Sequence, residues 1–320
     1  MITRRAALAG LAAGVAAPVR AQGPAIRIST AAPPLDFLAR LLERVKADCE
    51  GQLAVSVHPA STLFPQGTEV EAMQRGKLEM STMTTFEVAQ QAPELGFLNR
   101  GYLFSGYPHM RRVFQGIVGE RYRKIVADKM GIQILATHYL GTRQLGLRQK
   151  RQVQAPSDLA GVRLRMTAGP EWLLLGRALG ASPVPLGLPE VYAALKTGTI
   201  DGQENPLSVV HSARFYEVME QVSLTAHMIQ PVFLAIAKPV WDRLDPAQQT
   251  ALGDAARNEA AWGDEARLQD EAAVATSLVG RGLAVDPVDI GAFQANADQV
   301  YAGPAKAWNR GLMQQVQAAS

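Results

Sequence analysis

The sequence has few of the residues that form covalent cross-links, bind metals or act as nucleophiles. Its 320 residues include one cysteine, Cys49, so no disulfide bond can form within the chain and the apolar core must hold the fold. Cys49 lies in a stretch with helical spacing and has no histidine near it in sequence, which favours a packed side chain over a nucleophile. The five histidines are scattered without the spacing of metal ligands, so we expect no metal site.

Motifs for nucleotide binding and for common hydrolytic chemistry are missing as well. The sequence contains no G-x-S-x-G, no P-loop, no G-x-G-x-x-G and no H-E-x-x-H. We therefore expect no catalytic residues and no cofactor. An enzyme stays open as an alternative, and His211 and Glu204 would be its nearest acid–base candidates, although neither has a recognisable partner.

The chain has no apolar run long enough to span a bilayer, but a short one lies near its start. The twin arginines Arg4 and Arg5 precede an alanine-rich stretch that ends in the small-x-small pattern of Val19–Ala21. These features predict a cleaved signal peptide over residues 1–21, and a mature protein that begins near Gln22. The arginine pair favours the Tat route, an ordinary Sec signal being the alternative, and both predict export to the periplasm.

The predicted mature chain has no excess of positive charge. Cleavage after residue 21 removes three of the 32 basic residues and none of the 29 acidic ones, which leaves equal numbers of each sign. The isoelectric point near 9.0 belongs to the precursor. We therefore expect neither nucleic acid nor an anionic membrane surface as a partner.

Strand-like and helix-like stretches alternate along most of the chain, which predicts an α/β fold with largely parallel strands. The predicted strands are AIRIST, LAVSVHP, KLEMSTMT, GIQILATHYL, GVRLRM and VFLAIA, and the predicted helices cover Asp36 to Glu50, PQGTEVEAMQRG, Pro108 to Met130, EWLLLGRALG, LPEVYAALKTG and Pro246 to about Val279.

One internal similarity predicts two related lobes. The stretches TEVEAMQRGKLEM and PEVYAALKTGTIDG share Glu-Val, a helix, a glycine stop and a following strand, and lie about 120 residues apart. Two copies are too few for a solenoid, so two α/β lobes with a ligand cleft between them are the natural interpretation.

Polar residues stand at the ends of elements in the second predicted lobe. Arg143 lies where the chain crosses between lobes, Arg165 lies near the end of the GVRLRM strand, and Asn205 lies in the turn TIDGQENP. An arginine fork matches a carboxylate in two parallel hydrogen bonds. Spacing alone leaves open which of Arg163 and Arg165 is solvated and which faces a ligand.

The run GTRQ…SDLAGVRLRM…GASPVPLGLPEVYAALKTGTIDGQENP closely resembles the solute-binding proteins of TRAP transporters, the DctP family. The similarity is nearly continuous from Gly141 to about His227 and looser, but colinear, elsewhere. It implies a two-lobed periplasmic-binding-protein fold, type II-like, with mixed sheets joined by crossover strands and a long helix. The lobes we expect are 24–140 with about 231–270, and 141–230 with about 271–320.

The resemblance also implies a set of ligand contacts. The strand arginine that pairs with the ligand carboxylate matches Arg165, and the second arginine that faces it matches Arg143. Asn205 matches the asparagine of the family's site, and Leu188 matches the residue that packs on the ligand body. The first-lobe contact matches Thr84, with Thr85 beside it and with Ser29 and Thr30 as further candidates. Trp172 is open to two interpretations, a wall of the pocket or a residue of helix packing.

The expected function is therefore extracytoplasmic capture of a small organic carboxylate and its delivery to a TRAP permease, which has a small and a large integral membrane subunit. We expect a monomer. A sensor subunit that binds a carboxylate and signals to a membrane kinase remains an alternative, because the sequence of a binding protein does not distinguish sensing from transport. The first lobe departs from the family pattern, with NRGYLF where a Leu-Pro-aromatic turn is usual, so the sequence does not identify the acid.

Overall fold

The computed structural model describes residues 25–319, and the predicted signal peptide lies outside them. Within that range the chain forms nine strands and twelve α-helices. The strands are β1 Ile26–Ser29, β2 Val55–His58, β3 Met80–Met83, β4 Ile132–Leu147, β5 Arg163–Met166, β6 Ser182–Pro185, β7 Gly202–Pro206, β8 Gln221–Ala237 and β9 Ala284–Pro287. The helices are α1 Phe37–Asp48, α2 Glu69–Gln74, α3 Thr85–Gln91, α4 Tyr107–Gln115, α5 Ile117–Met130, α6 Pro170–Ala178, α7 Val191–Thr197, α8 Leu207–Ser212, α9 Lys238–Trp241, α10 Pro246–Gly280, α11 Ile290–Tyr301 and α12 Arg310–Ala318.

The strands form one mixed sheet whose order repeats on the two sides of a central pair. The order is β2-β1-β3-β8-β4-β7-β5-β6, with β9 paired to β8. On one side β3 pairs with β8 antiparallel and β1 and β2 follow in parallel; on the other side β7 pairs with β4 antiparallel and β5 and β6 follow in parallel. The two halves are the first lobe, around β1–β3, and the second lobe, around β5–β7.

The internal similarity in the sequence corresponds to this symmetry. The first copy forms α2 and β3, and the second copy forms α7 and β7. Because β3 and β7 flank the central β8–β4 pair from opposite sides, the two copies occupy equivalent places in the two lobes. The prediction of two related α/β lobes is confirmed.

The central strands β4 and β8 run through both lobes and are longer than the sequence pattern predicted. Their ladder is interrupted by register shifts, one of them between Tyr139 and Gly141, where Gly141 pairs with Gln230. Gly141 has φ +132, and a Cβ atom there would lie 2.6 Å from the Cβ of Pro206. Glycine is therefore required where the chain passes from one lobe to the other.

The predicted helix from Pro108 to Met130 is two helices that meet at Gly116, whose backbone is extended. Directly after this corner the chain folds back closely on α4. A Cβ atom on Gly119 would lie 1.9 Å from the carbonyl oxygen of Phe114, so only glycine fits there. The corner cannot be read from apolar periodicity, because both helices keep an apolar face toward the same core.

The C-terminal segment returns to the first lobe. Trp308, Leu312 and Val316 belong to the same apolar cluster as the β1 residues Ile26 and Ile28. The placement of about residues 271–320 in the second lobe therefore disagrees with the packing at its far end. The cause is the apolar face of α12, whose Leu312 and Val316 are buried in the first-lobe cluster.

Cys49 lies within the first-lobe core, and its burial raises the pKa of its thiol to about 11. Cys49 is fully buried, as expected of a packed side chain. Among residues 25–319, no helix has the length and apolar character needed to cross a membrane. The same residues contain no group of three or more histidine, cysteine or acidic side chains placed to hold a metal ion.

Candidate ligand-binding cleft

The ends of four strands meet at one cavity between the lobes. Thr30 follows β1, Thr84 follows β3, Arg165 lies in β5 and Asn205 lies in β7, and all four line this cavity. Carboxyl ends of strands in open α/β sheets are the usual place for a ligand. The structure thus brings together residues that are as much as 175 positions apart in sequence.

Arg165 is buried in this cavity without an acidic partner. Its side chain is 1% exposed. Its Nε donates to the carbonyl oxygen of Leu186 at 2.8 Å, and its Nη2 donates to Oε1 of Gln66 at 2.9 Å. Among the described residues Nη1 has no hydrogen-bond partner, and no carboxylate lies within ion-pair distance of the guanidinium. Burial lowers the pKa of Arg165 to about 10, which leaves the side chain charged at neutral pH.

Arg163, two residues earlier in β5, has a different environment. Its guanidinium is half-exposed and pairs with Asp201, with Nε 2.9 Å from Oδ2 and Nη2 2.6 Å from Oδ1. The same Nη2 donates to the carbonyl oxygen of Gly198. Arg163 is therefore the solvated arginine of the pair, and its charge is already compensated.

Arg143 lies in the cavity wall but is compensated within the protein. Its Nε is 2.5 Å from Oε2 of Glu204, and its Nη2 is 2.7 Å from Oε1 of the same carboxylate. Nη1 donates to Gln230, and Nη2 also reaches Oδ1 of Asn205 at 3.1 Å. The arginine predicted from the resemblance is present at the site, with a buried ion pair that the sequence did not reveal.

Glu204 also accepts a hydrogen bond from the buried His227, with Nε2 3.0 Å from Oε2. Burial opposes ionisation of Glu204, but Arg143 and His227 outweigh it and lower the pKa of the carboxyl to about 2. The pKa of His227 is lowered, chiefly by burial. Glu204 is therefore a fixed negative charge that is ion-paired with Arg143, whereas Arg165 forms no ion pair among the described residues.

Two apolar side chains complete the second-lobe wall. Leu188 is half-buried and lines the cavity at the start of a short 3₁₀ turn. Trp172 lines the same cavity and stacks on Phe86, with ring centroids 3.6 Å apart and planes inclined by 10°. Its ring also lies 5.1 Å from the Cζ of Arg143. Trp172 thus packs between elements and faces the cavity, so both interpretations of it apply.

On the first-lobe side, Thr84 lines the cavity and caps α3. Its hydroxyl accepts from the backbone N–H of Phe86 and donates to Oε2 of Glu87. Thr85 differs from the expectation: it is the first residue of α3, is buried, and does not line the cavity. The helix turns its side chain into the protein once Thr84 has taken the capping position. Thr30 lines the cavity whereas Ser29, also buried, does not.

The sequence reasoning missed Gln66, which connects the lobes. Its Oε1 accepts from Arg165 and also from the backbone N–H of Leu188 at 2.8 Å. Gln66 lies in the loop before α2, and no motif marks it, since only the folded chain brings it to the second lobe. Glu69, Glu87 and Gln230 also line this cavity or contact its arginines and carried no sequence signal.

A second connection between the lobes lies at the edge of the same cavity. Asp36, which caps α1, pairs with Arg267 of α10, with Oδ1 2.8 Å from Nη2. Arg267 also donates to the hydroxyl of Ser208, and Ser212 donates to Oδ2 of Asp36 at 3.2 Å. Because α1 belongs to the first lobe and α8 to the second, this buried network joins the two lobes through the long helix.

The family model for bacterial extracellular solute-binding proteins, family 7 (DctP), matches residues 28–307 of this chain. The chain belongs to this family. The predicted family is thereby confirmed, and the two-lobed fold agrees with the solved structures that the chain resembles. Members of the family are periplasmic binding proteins of transport systems.

Solved structures and curated relatives of the family resemble the chain over most of its length. A TRAP periplasmic solute-binding protein from Roseobacter denitrificans with bound 3-deoxy-D-manno-oct-2-ulosonic acid is 36% identical, with a TM-score of 0.90 over 93% of this chain and 100% of the other. Another from the same organism, with bound L-galactonate, is 28% identical, with a TM-score of 0.83 over 93% and 99%. The 2,3-diketo-L-gulonate-binding periplasmic protein of Escherichia coli is 28% identical, covering 87% of this chain and 85% of the relative.

Proposed function

We propose that the protein captures a small organic carboxylate in the interlobe cleft and delivers it to the two integral membrane subunits of a TRAP transporter. One observation carries the proposal: Arg165 is a buried guanidinium in the cleft that forms no ion pair with an acidic side chain of the described residues. A charge without a partner is unfavourable inside a protein, and a ligand carboxylate supplies the missing partner. The ligands of the two Roseobacter proteins and of the Escherichia coli relative are all sugar acids or their oxidised forms.

Each cleft residue has a role in this proposal. Arg165 holds the carboxylate in two parallel hydrogen bonds, using Nη1 and Nη2 after Nη2 has exchanged Gln66 for the ligand. Arg143 donates its remaining Nη1 hydrogen, and Asn205 is held beside it. Leu188 and Trp172 pack on the carbon skeleton of the ligand. Thr84, which lies in the first lobe, hydrogen-bonds a polar group of the ligand.

Closure of the two lobes over the ligand strengthens the ion pair. Expulsion of water lowers the effective dielectric constant, and the same two charges then interact more strongly. The ligand favours the closed form because only that form brings Thr84 of the first lobe to a ligand already bound at Arg165. The irregular ladder of β4 and β8 around Gly141 and Gln230 provides the bending point.

The protein acts by binding and carries out no chemical conversion in this proposal. Glu204 stays ionised because of Arg143 and His227, so it has no proton to donate near neutral pH. His211 stacks on Tyr216 with ring centroids 5.7 Å apart and does not line the cleft. We further propose a monomer, exported by the Tat route and cleaved before Gln22.

Mass spectrometry of small molecules released from the purified, denatured protein tests the proposal. We expect a carboxylic acid, and we expect 3-deoxy-D-manno-oct-2-ulosonate, L-galactonate or a close relative of these acids to raise the melting temperature of the emptied protein. Unchanged acid recovered after prolonged incubation supports binding without turnover. A bound neutral sugar or a bound cation, or turnover of the acid, would contradict the proposal.

A further inference from the structure

A second cavity lies outside the ligand-binding cleft, where the first-lobe helices α4 and α5 and the start of β4 meet the long helix α10. Its volume is about 660 Å³, which is within the range of roughly 300–1,000 Å³ that is usual for small-molecule sites. No residue lines both this cavity and the cleft. The function proposed above therefore does not account for it.

The floor of this second cavity is apolar and belongs to the first-lobe core. Met110 and Phe114 line it from α4, Ile134 lines it from β4, and Ala260 lines it from α10. All four side chains are buried. A deep apolar floor of this kind suits the apolar part of a small molecule.

The strand at the floor is irregular. Ile134 pairs with Ala235 and Ala136 pairs with Leu234, so Leu135 is an extra residue in β4 and forms a bulge. Leu135 also lines the cavity. Bulges are frequent beside functional sites, where they redirect a side chain, and this bulge presents Leu135 to the second cavity.

The rim of the cavity is basic and draws one arginine from each of three helices. Arg111 comes from α4, Arg123 from α5 and Arg257 from α10. Arg257 pairs with the exposed Asp254, and Nη1 of Arg123 donates to the carbonyl oxygen of Phe114 at 2.9 Å. Among residues 25–319, neither Arg111 nor Arg123 forms an ion pair, so both can pair with an anion.

The two acidic residues that line the cavity do not compensate these arginines. Oδ1 of Asp264 accepts from Nδ1 of His138 and from the backbone N–H of Tyr139, both at 2.7 Å, and its Oδ2 accepts from the hydroxyl of Tyr107 at 2.9 Å. The carboxylate of Asp264 is therefore already held by three donors of the protein. Glu265 is exposed to solvent. With three arginines against these two acids, the lining carries an excess of positive charge.

We propose that this cavity is a second binding site and that its ligand is an amphipathic monoanion, a molecule with one acid group and an apolar chain or ring. The apolar part packs on the floor, and the acid group pairs with Arg111 and Arg123 at the rim. An uncharged amphiphile lacks the ion pair, and an ammonium group meets like charge. A carboxylate and a phosphate ester satisfy the arginines alike, so the experiment includes both.

NMR titration of the Arg165→Ala protein with four eight-carbon probes tests the inference. The probes are octanoate, octyl phosphate, 1-octanol and octylammonium, and the Arg165→Ala change removes the proposed carboxylate position of the cleft. We expect saturable binding of an anionic probe at least about tenfold tighter than that of 1-octanol, with octylammonium weakest. The backbone amide signals of residues 135–137 and of Ala261 should shift with the bound anion, because these residues line the cavity. The tighter of the two anions identifies the acid group as carboxylate or phosphate.

Two changes in the same background locate the site. Arg111→Ala/Arg123→Ala should weaken binding of the anion by at least about tenfold. Arg121→Ala is the matched control, since Arg121 lies on α5, is exposed and does not line the cavity. Ala261→Trp places a large side chain at the exposed edge of the cavity on α10 and should abolish binding with all the arginines in place. Thermal melts show which variants fold, and if one of the two does not, the other provides the test.

The inference is overturned if neither anion binds saturably, or if 1-octanol or octylammonium binds as tightly as the anions. It is also overturned if Arg121→Ala weakens binding as much as Arg111→Ala/Arg123→Ala, or if the shifted amide signals belong to cleft residues alone. The proposed function is tested separately, with Arg165 intact and with acids released from the purified protein, so either can fail without the other.

Discussion

Glu204 and Arg143 form a buried ion pair with two hydrogen bonds, Nε to Oε2 at 2.5 Å and Nη2 to Oε1 at 2.7 Å, and neither side chain is more than 3% exposed. Because Glu204 compensates Arg143, two neighbouring arginines of one cleft have different roles. Arg143 is part of the protein's own charge balance, whereas Arg165 forms no ion pair among the described residues. Because only one of the two arginines is free of an internal ion pair, the cleft has one anion-binding position rather than two.

The first prediction concerns stability in acid. The pKa of Glu204 is about 2 in the folded protein and its ordinary value is 4.5, so its contribution to stability is complete above about pH 4.5. That contribution is lost as the pH falls through the folded pKa near 2, and it is on the order of 3 kcal/mol. We expect the free energy of unfolding of Glu204→Gln, measured by denaturant titration, to fall less between pH 5 and 2 than that of the wild type.

Asp254→Asn is the control for this measurement, since Asp254 is exposed and pairs with Arg257 on α10. Its variant should follow the wild-type pH dependence within error. A Glu204→Gln curve parallel to that of the wild type would show that Glu204 does not have a lowered pKa in the folded protein.

The second prediction concerns the connection between the lobes through α10. Arg267→Ala leaves Asp36 buried and unpaired, and breaking a buried pair typically costs about 3–5 kcal/mol. Arg257→Ala, on the same helix but exposed, should change the free energy of unfolding by about 0–1 kcal/mol. Chemical denaturation of the two variants measures both values. Equal effects would mean that the buried network does not stabilise the fold.

The third prediction concerns closure of the cleft. Small-angle X-ray scattering of the ligand-free protein should give a larger radius of gyration than scattering of the protein saturated with its acid. Gln66→Ala removes the acceptor shared by Arg165 and Leu188, so we expect the ligand-free variant to be at least as open as the wild type. A radius of gyration that does not change at saturating ligand would contradict hinge closure.

Much of the fold could be predicted because it depends on local patterns. The apolar spacing of α1, the glycine stop after α7 and the repeated helix–strand pair are properties of short segments. The far end of the chain could not be placed in this way. The face of α12 is apolar wherever it packs, and only the folded chain shows that Leu312 and Val316 cover the first lobe.

The candidate site could be predicted in part for a similar reason. Arg165 and Asn205 stand at strand ends, and strand ends meet at the cleft edge of an α/β sheet. Gln66 lies in a loop with no periodicity, and its role depends on a contact across 99 residues of sequence. The ion pair of Glu204 depends likewise on the register of β4 against β7, which no composition or motif reveals.

The central claim is that Arg165 holds the carboxylate of the ligand, and calorimetric titration of three arginine variants with the cognate acid tests it most directly. Loss of a buried charged pair typically costs about 2–5 kcal/mol, or roughly 30-fold to several thousand-fold in affinity. The loss of affinity should lie toward the upper end of that range for Arg165→Ala and toward the lower end for Arg165→Lys, because lysine keeps the charge but loses the planar fork. Arg163→Ala, which removes an exposed pair with Asp201, should change the affinity by less than about threefold, with thermal melts confirming that all three variants fold. If Arg163→Ala abolishes binding and Arg165→Ala does not, the carboxylate is held elsewhere and the account is wrong.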